Sequence, residues 1–301
     1  MKNKISTILL VIILIAGLSL LLYPTISDYW NSRHASQAVA DYSEDVSNLT
    51  KEQYEKILKE AEEYNKDLAD RGDIAALSAK EEERYNSMLS VNDTGIMGYI
   101  EIKSINVSLP IYHGTDDSVL QVGVGHQSWS SLPVGGESSH CVLSGHRGLP
   151  SAKLFSNLDK MVEGDKFVIH VLDEVYTYEV DQILIVEPED LSALGIEKGE
   201  DLCTLVTCTP YGINSHRLLV RGHRVENDTD SSAIGSDAVQ VEPMIVAPAI
   251  AAPILLILLF VVLFSGRKKS KKKGGQGEDK QEKNVQEEDG QAEGEQETAA
   301  Q

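Results

Sequence analysis

Apolar and polar residues alternate over short segments in the middle of the chain, which is the pattern of strands with one buried face. In residues 176–181, apolar Tyr176, Tyr178 and Val180 alternate with polar residues, so one face meets a core and the other meets solvent. Turn-forming residues separate the predicted strands, which are Met97–Ile102, Ile105–Ile111, His140–Leu143, Lys166–Leu172, Val175–Val186, Leu202–Thr207 and Leu218–Arg221. This series predicts one β-barrel or β-sandwich domain, and about 130 residues are enough for its core.

Ahead of these strands, the spacing of apolar residues becomes helical. Thr50 and Gln53 form a capping-box pattern, and the apolar residues that follow recur every three or four positions. A second helix is predicted over Lys80–Leu89, and residues 151–158 can form a short helix capped by its first serine. We expect residues 28–94 to form a helical stalk with a solvated outer face. Docking onto the β domain as a cover or lid is the alternative.

Two apolar runs, one near each end of the chain, are long enough to cross a bilayer. Ile5–Leu22 carries no charge and follows Lys2 and Lys4. Because no small-residue cleavage site stands out after it, we interpret it as an uncleaved signal anchor, with a cleaved signal peptide as the alternative. Met244–Phe264 also carries no charge, and a membrane helix tolerates its two prolines.

Positive charge flanks both runs, and positive flanks stay on the cytoplasmic side. Lys2 and Lys4 precede the first run, and the basic stretch 267–273 follows the second. This predicts a two-pass plasma-membrane protein with both termini inside the cell. The predicted division is a cytoplasmic N-terminus (1–4), a signal anchor (5–22), an extracellular helical segment (28–94), a β domain (95–226), a linker (227–243), a transmembrane helix (244–264) and a basic, then acidic, disordered cytoplasmic tail (265–301).

Composition excludes several functions. The formal net charge of −20 argues against a nucleic-acid partner, because phosphate binding needs a basic face. Three cysteines are too few for a disulfide scaffold, and no two of them have metal-ligand spacing. We therefore expect neither a metal nor another cofactor.

The segment from Asp201 to Arg224 holds the first candidate chemistry. Cys208 lies at the end of one predicted strand, and Arg217 begins the next after a turn-rich loop. If the strands pair antiparallel, the two residues lie near each other, and a cation beside a thiol favours the reactive thiolate. The alternative is that Cys208 is a small core residue and Arg217 an ordinary surface residue.

The other two cysteines have a different interpretation. Strand alternation places Cys203 and Cys208 on opposite faces, so they are poor disulfide partners. Cys141 and Cys203 are predicted to be buried as small hydrophobic residues. A disulfide between Cys141 and Cys208 stays open at this point, although it would consume the nucleophile.

One of the eight histidines stands out as a partner for the thiol. His146 follows a predicted strand and lies between Gly145 and Gly148, where backbone freedom lets it face a cleft. His216 neighbours Arg217, so alternation directs it away from that arginine's face. The remaining histidines are interpreted as core, loop or surface residues.

These motifs together resemble a known family, the class C or pilin-polymerising sortases. The resemblance covers about Met97 to Arg224, and its most specific feature is a TLxTC run with an arginine nine residues later. The segments that carry it are 97–102 (MGYIEI), 109–114 (LPIYHG), 122–126 (VGVGH), 143–150 (LSGHRGLP), 204–212 (TLVTCTPYG) and 215–222 (SHRLLVRG). It implies a closed eight-stranded β-barrel with short helices, and a catalytic set of Cys208 (nucleophile), His146 (general acid/base) and Arg217 (oxyanion stabiliser).

The resemblance also implies a reaction and partners. The expected activity is that of a membrane-anchored cysteine transpeptidase of a Gram-positive bacterium. It would cleave an LPxTG-like sorting signal between Thr and Gly and join the Thr to a lysine amine of a pilin. Three alternatives stay open: a sortase that uses an amine of the cell-wall precursor, a thiol hydrolase, and a non-enzymatic membrane-anchored binding module.

The sequence departs from that family at one place. Many class C sortases carry an Asp-Pro-aromatic lid ahead of the barrel, whereas residues 70–79 read DRGDIAALSA, without proline or an aromatic residue. Asp73 is the nearest counterpart. Residues 187–200, between two predicted strands, are the segment where we expect substrate contacts.

Overall fold

Eight strands hydrogen-bond in a closed ring in the computed structural model, which describes residues 2–71, 77–227 and Ile257. They are β1 (Ile96–Ile102), β2 (Val107–His113), β3 (Val124–His126), β4 (Ser139–Ser144), β5 (Lys166–Val171), β6 (Glu174–Val186), β7 (Asp201–Thr209) and β8 (His216–Val225). Their order around the ring is β1-β2-β3-β4-β7-β8-β6-β5. The predicted barrel is confirmed, and the sandwich alternative is wrong.

Strand β2 begins later than the apolar pattern predicts, and one short strand is absent from that pattern. The second strand begins at Val107 rather than Ile105, because Lys103–Ile105 form a 3₁₀ turn and Asn106 adopts a positive φ of 53°. The three-residue β3 is too short for alternation to reveal, and only the family resemblance indicated a strand there.

Two of the strand pairs are parallel, and one of them connects distant parts of the chain. β4 pairs parallel with β7, while β7 pairs antiparallel with β8. Parallel neighbours end at the same edge of a sheet, so the residues after β4 and those at the end of β7 meet at one rim of the barrel. The turn to β8 starts at that rim too.

The barrel interior is filled by one face of each strand, as alternation predicts. Ile100, Phe167, Leu205 and Val220 are fully buried, and the rings of Phe167 and Tyr178 stack with centroids 5.5 Å apart. Burying a side chain of this size contributes roughly 1.5–3 kcal/mol, so this core supplies a rigid support for the rim.

The N-terminal helix is longer than predicted. Helix α1 (Lys2–Ser47) runs without a break from the predicted anchor through residues 28–47, ahead of the capping box at Thr50. Its second half packs on the barrel, where the Tyr42 hydroxyl donates to the Met97 carbonyl at 3.1 Å and accepts from the Leu172 N–H at 2.9 Å. Among the described residues, one helix, spanning Ile5–Ser47, is long and apolar enough to cross a membrane.

Two further helices lie against the barrel. They are α2 (Lys51–Arg71) and α3 (Ala79–Ser87), and a four-residue helix α4 (Asp117–Leu120) precedes β3. The capping box is confirmed: the Thr50 N–H donates to Gln53 Oε1 at 2.9 Å, and the Gln53 N–H donates to Thr50 Oγ1 at 3.2 Å. The buried Asn65 amide pairs with the Leu132 N–H at 2.7 Å and the Leu132 carbonyl at 3.0 Å. The helical segment ahead of the barrel is therefore packed against it at these contacts.

The helix predicted over Ser151–Leu158 is wrong. These residues form turns, with a 3₁₀ turn at Leu158–Lys160, because their N–H groups bond to other segments. The Phe155 N–H donates to the His146 carbonyl at 3.1 Å, and the Lys153 N–H donates to Asp28 Oδ1 at 2.8 Å.

Several predicted features lie outside the described residues. These are Asp73 in the possible lid, the linker, the basic and acidic tail, and the second apolar run except Ile257.

Candidate active site

The three residues singled out by the sequence lie in one row at the barrel rim. Cys208 of β7 is the direct register partner of Arg217 of β8. On the other side of β7, Val206 is paired with Ser144 of β4. Because β4 and β7 are parallel, the two residues that follow each of these positions lead to His146 and Cys208 at the same rim. All three side chains line the same cleft of about 260 Å³.

The backbone ahead of His146 is fixed to β7. The Gly145 N–H donates to the Val206 carbonyl at 3.0 Å, and the Thr207 hydroxyl donates to the Gly145 carbonyl at 2.7 Å. A Cβ at Gly145 would lie 2.6 Å from the Phe155 ring, so only glycine fits there. Gly145 is thus required because the Phe155 ring packs closely against its backbone. The sequence had suggested only that a glycine gives this loop backbone freedom.

Arg147 connects the histidine loop to the end of β7. Its side chain is only 9% exposed, pairs with Asp159, and donates through Nη1 to Thr209 Oγ1 at 3.2 Å. Its guanidinium also lies 5.9 Å from the centre of the Tyr211 ring. The residue after the histidine is therefore bound to the residue after the cysteine. Sequence reasoning missed this role, although the charged residue inside an otherwise glycine-rich turn was a signal.

Arg217 is held by its own loop. Its Nη1 donates to the carbonyls of Asn214 at 3.3 Å and His216 at 3.1 Å, which keeps the guanidinium at the mouth of the cleft. His216 Nε2 instead lies 3.2 Å from Glu187 Oε1. This agrees with the prediction that His216 points away from the arginine's face.

The walls of the cleft are mainly apolar. Trp129 and Leu194 are among them, and residues 187–200 border the cleft as expected, through Pro188 and Leu191. The loop after β3 was not predicted to contribute. Its Gln127 lines the cleft and donates to Ser144 Oγ at 2.9 Å. A tryptophan within a serine-rich loop was the signal available in the sequence.

The other two cysteines are neighbours inside the barrel. Cys141 and Cys203 are paired in the β4–β7 register and are buried, as predicted. Burial raises the pKa of the Cys203 thiol well above its usual value, since a thiolate there would lose its hydration. All three cysteines are free, so the Cys141–Cys208 disulfide that the sequence left open is wrong.

Most other barrel histidines have structural partners. His126 contacts the Tyr85 hydroxyl at 3.0 Å and the Ser131 carbonyl at 2.8 Å. His140 contacts the Gly195 carbonyl and Thr204 Oγ1, both at 2.7 Å. His113 and His126 are the last residues of β2 and β3. In the described part of the chain, no cluster of three or more His, Cys, Asp or Glu residues could hold a metal ion.

Comparison with known proteins agrees with this architecture. The Sortase domain family matches residues 100–225. The crystal structure of sortase C1 from Streptococcus agalactiae is 54% identical, covers 64% of this chain and 100% of that chain, and superimposes with a TM-score of 0.63. The sortase C of Clostridium perfringens, solved with its C-terminal cell wall sorting motif, is 41% identical over 64% of this chain and 100% of that chain, with a TM-score of 0.57.

A further relative matches over a shorter part of the chain. Sortase D of Bacillus subtilis is 34% identical over 131 residues, which are 42% of this chain and 63% of that protein. The barrel, its sequence motifs and these similarities lead to one conclusion: the chain belongs to the sortase family of cysteine transpeptidases, with class C sortases among its structural neighbours.

Proposed function

We propose that this protein is a membrane-anchored transpeptidase that cleaves an LPxTG-like sorting signal between Thr and Gly and joins the Thr to a pilin lysine. One observation carries the proposal: the β4–β7–β8 register brings His146, Cys208 and Arg217 to a single cleft. The similarity to sortase C structures, one of them solved with a sorting motif, supports the substrate class.

The first half of the reaction transfers the acyl group to the enzyme. The Cys208 thiolate attacks the threonine carbonyl carbon, and the developing oxyanion is stabilised by the guanidinium of Arg217. The C–N bond to glycine then breaks, while His146 gives its proton to the departing amine. A thioester between Cys208 and the threonine remains.

The second half transfers the acyl group to an amine. The lysine nitrogen attacks the thioester carbon, His146 takes the proton from that nitrogen, and the C–S bond breaks. The products are an isopeptide bond and a regenerated Cys208. The mainly apolar walls around Trp129 and Leu194 suit this step, because they limit the access of competing water to the thioester.

The experiment that tests the first half is mass spectrometry of the enzyme incubated with a sorting-signal peptide. We expect an acyl adduct on Cys208, and its absence from the Cys208→Ala variant. Substrate cleavage that persists in Cys208→Ala would contradict the mechanism. Binding of the peptide without any adduct or cleavage would favour the binding-module alternative.

The acceptor is tested separately. Purified enzyme is incubated with a pilin whose candidate acceptor lysine is replaced by arginine, and ligation is followed by gel mobility. We expect the variant to remain monomeric while the unaltered pilin forms ladders. Continued ladder formation would contradict the pilin acceptor, and transfer to a cell-wall precursor amine would identify the anchoring alternative. Release of free acid without transfer would identify a hydrolase.

The membrane topology is part of the same proposal. The apolar, unburied first half of α1 supports an anchor with the barrel outside the cell. Residues 244–264 would form the second span, and both termini would lie in the cytoplasm. Protease treatment of intact cells, with epitopes at each terminus, tests this: both epitopes should survive while the barrel remains accessible to antibody. Digestion of the C-terminal epitope would contradict the two-pass arrangement.

A further inference from the structure

Four large side chains project into solvent from α1 directly after its apolar run. Their exposed fractions are 54% for Tyr23, 62% for Ile26, 66% for Tyr29 and 62% for Trp30. We call these four residues the interfacial stripe. Large apolar groups that share one exposed surface usually mark an interaction site, whereas single ones are ordinary.

The stripe occupies one face of the helix. At about 100° per residue, Tyr23, Ile26 and Trp30 fall within about 60° of one another, with Tyr29 at the edge of the same face. The opposite face is docked on the barrel. There Asn31 Nδ2 donates to the Ser151 carbonyl at 2.9 Å, and Asp28 accepts from the Lys153 N–H at 2.8 Å. The barrel therefore leaves the stripe uncovered.

The position of the stripe along the helix indicates what covers it. Ile5–Leu22 has a length of about 27 Å at 1.5 Å per residue, close to the thickness of a bilayer's hydrocarbon core. The stripe begins at the next residue. Tyrosine and tryptophan are the residues favoured at the headgroup layer, because their rings have an apolar body and a polar edge.

The same face becomes polar further along the helix. Exposed Arg33 follows Trp30 by three residues, and the His34 ring lies 4.8 Å from the Trp30 ring. Gln37 and Asp41, both exposed, continue this face one and two turns later. Along this face the residues change from aromatic to cationic and then to acidic. This order matches a helix that leaves the lipid, passes the phosphate groups and enters water.

We propose that the interfacial stripe binds the lipid headgroup layer and tilts α1 toward that side, so that the barrel is held on the upper, opposite face of the helix. The proposal rests on the membrane anchoring proposed above. Without tilt, Trp30 would lie about 12 Å along the helix beyond Leu22, outside an interfacial region that is about 5–8 Å thick on each side. Tilt toward the stripe brings both Tyr29 and Trp30 into that region.

This arrangement has a consequence for the reaction. The docked contacts at Asp28 and Asn31 connect the membrane-proximal part of α1 to residues 151–153, which belong to the loop that follows His146. The stripe would thus fix the height and orientation of the catalytic rim above the bilayer. Substrates anchored in the same membrane then meet the cleft at a raised effective concentration.

Depth-dependent fluorescence quenching tests the stripe. The full chain carries two tryptophans, so a Trp129→Phe background leaves Trp30 as the only emitter. The protein is reconstituted in vesicles of phosphatidylcholine and phosphatidylglycerol, and insertion is verified by carbonate-resistant flotation. We expect strong quenching by lipids brominated near the headgroup, weak quenching by lipids brominated near the chain ends, and protection from acrylamide.

The outcomes separate the stripe from the anchor. If the chain floats with vesicles but Trp30 is open to acrylamide and insensitive to bromine, the stripe proposal is overturned while the anchor stands. If the chain does not float, the anchoring itself fails. Protection from acrylamide that depends on protein concentration, without bromine quenching, would show that a second copy covers the stripe and would also overturn the proposal.

A functional measurement complements the fluorescence, in a chain that keeps Trp129. The double substitution Tyr29→Ser and Trp30→Ser should lower the rate on a vesicle-anchored sorting-signal substrate by about threefold or more, because the effective concentration at the cleft falls. The rate on a soluble peptide should not change. Val162→Ser, which alters a comparably exposed apolar residue (60%) outside α1, is the matched control. Equal loss on both substrates would contradict the proposal.

Discussion

The two ends of the paired strands β4 and β7 carry the same residue types with different properties. At the inner end, Cys141 and Cys203 are buried neighbours, and His140 is enclosed by two hydrogen-bond partners. At the rim, Cys208 is partly exposed and shares a cleft with His146. Position along the strand thus decides the environment: burial disfavours the thiolate of Cys203 and the charged form of His140, whereas Cys208 and His146 at the rim line an open cleft.

The largest expected effect comes from replacing each of the two β7 cysteines by alanine. Cys208→Ala should lower transpeptidation by at least about 10³-fold, because no thioester can form, with little change in stability. Cys203→Ala should keep most of the activity and lower the free energy of unfolding by about 1–2 kcal/mol through lost packing. Acyl-adduct mass spectrometry and thermal unfolding measure the two effects. Loss of the adduct in a folded Cys203→Ala variant would contradict the purely structural role of Cys203.

The second effect concerns the histidines at the rim. His146→Ala should lower kcat by about 10²–10⁴-fold, since proton transfer to the leaving amine is lost. His216→Ala is the matched control, because it removes a partly exposed imidazole that neighbours Arg217 and contacts Glu187. We expect the control to stay within a few-fold of the unaltered enzyme. Comparable losses in both variants would contradict the assignment of His146.

The third effect tests the link between the histidine loop and β7. Arg147→Met should lower kcat about tenfold and shift its pH profile, because the bonds to Thr209 and Asp159 that position His146 are lost. Arg147→Lys, which keeps the charge, should recover only part of the rate, since it cannot reach both partners. Arg221→Met serves as the control, because it removes a β8 arginine that forms ion pairs with Asp181 and Glu197. A loss in stability without any change in the pH profile would assign Arg147 a structural role only.

The smallest effect is a pH dependence of stability from the inner histidine. Burial lowers the pKa of His140, and its neutral form donates from Nδ1 to Gly195 and accepts at Nε2 from Thr204. As the pH falls through about 6.5, the unfolded chain binds the proton before the folded chain does, so stability decreases. Denaturant unfolding at several pH values should show this slope, and His140→Gln should reduce it. An unaltered slope in His140→Gln would contradict this account.

Prediction from sequence succeeded where the pattern was local. Alternation revealed seven of the eight strands, and the Thr50–Gln53 capping box placed the start of α2. It failed where distant groups competed for backbone bonds, as in residues 151–158, whose N–H groups bond to Asp28 and His146 instead of forming a helix. The unbroken course of α1 from its apolar run to Ser47 was also not predicted, since its packing on the barrel is a tertiary contact.

The sequence by itself determined the hairpin that holds Cys208 and Arg217, because the spacing of two strands around one turn is a local property. Only the tertiary structure decided that β4 lies parallel beside β7 and thereby brings His146 to Cys208, across the 62 residues that separate Gly145 from Thr207. Such a pairing depends on closure of the whole barrel, which no short segment specifies. The same closure turned one pair of cysteines inward and left the third at the cleft.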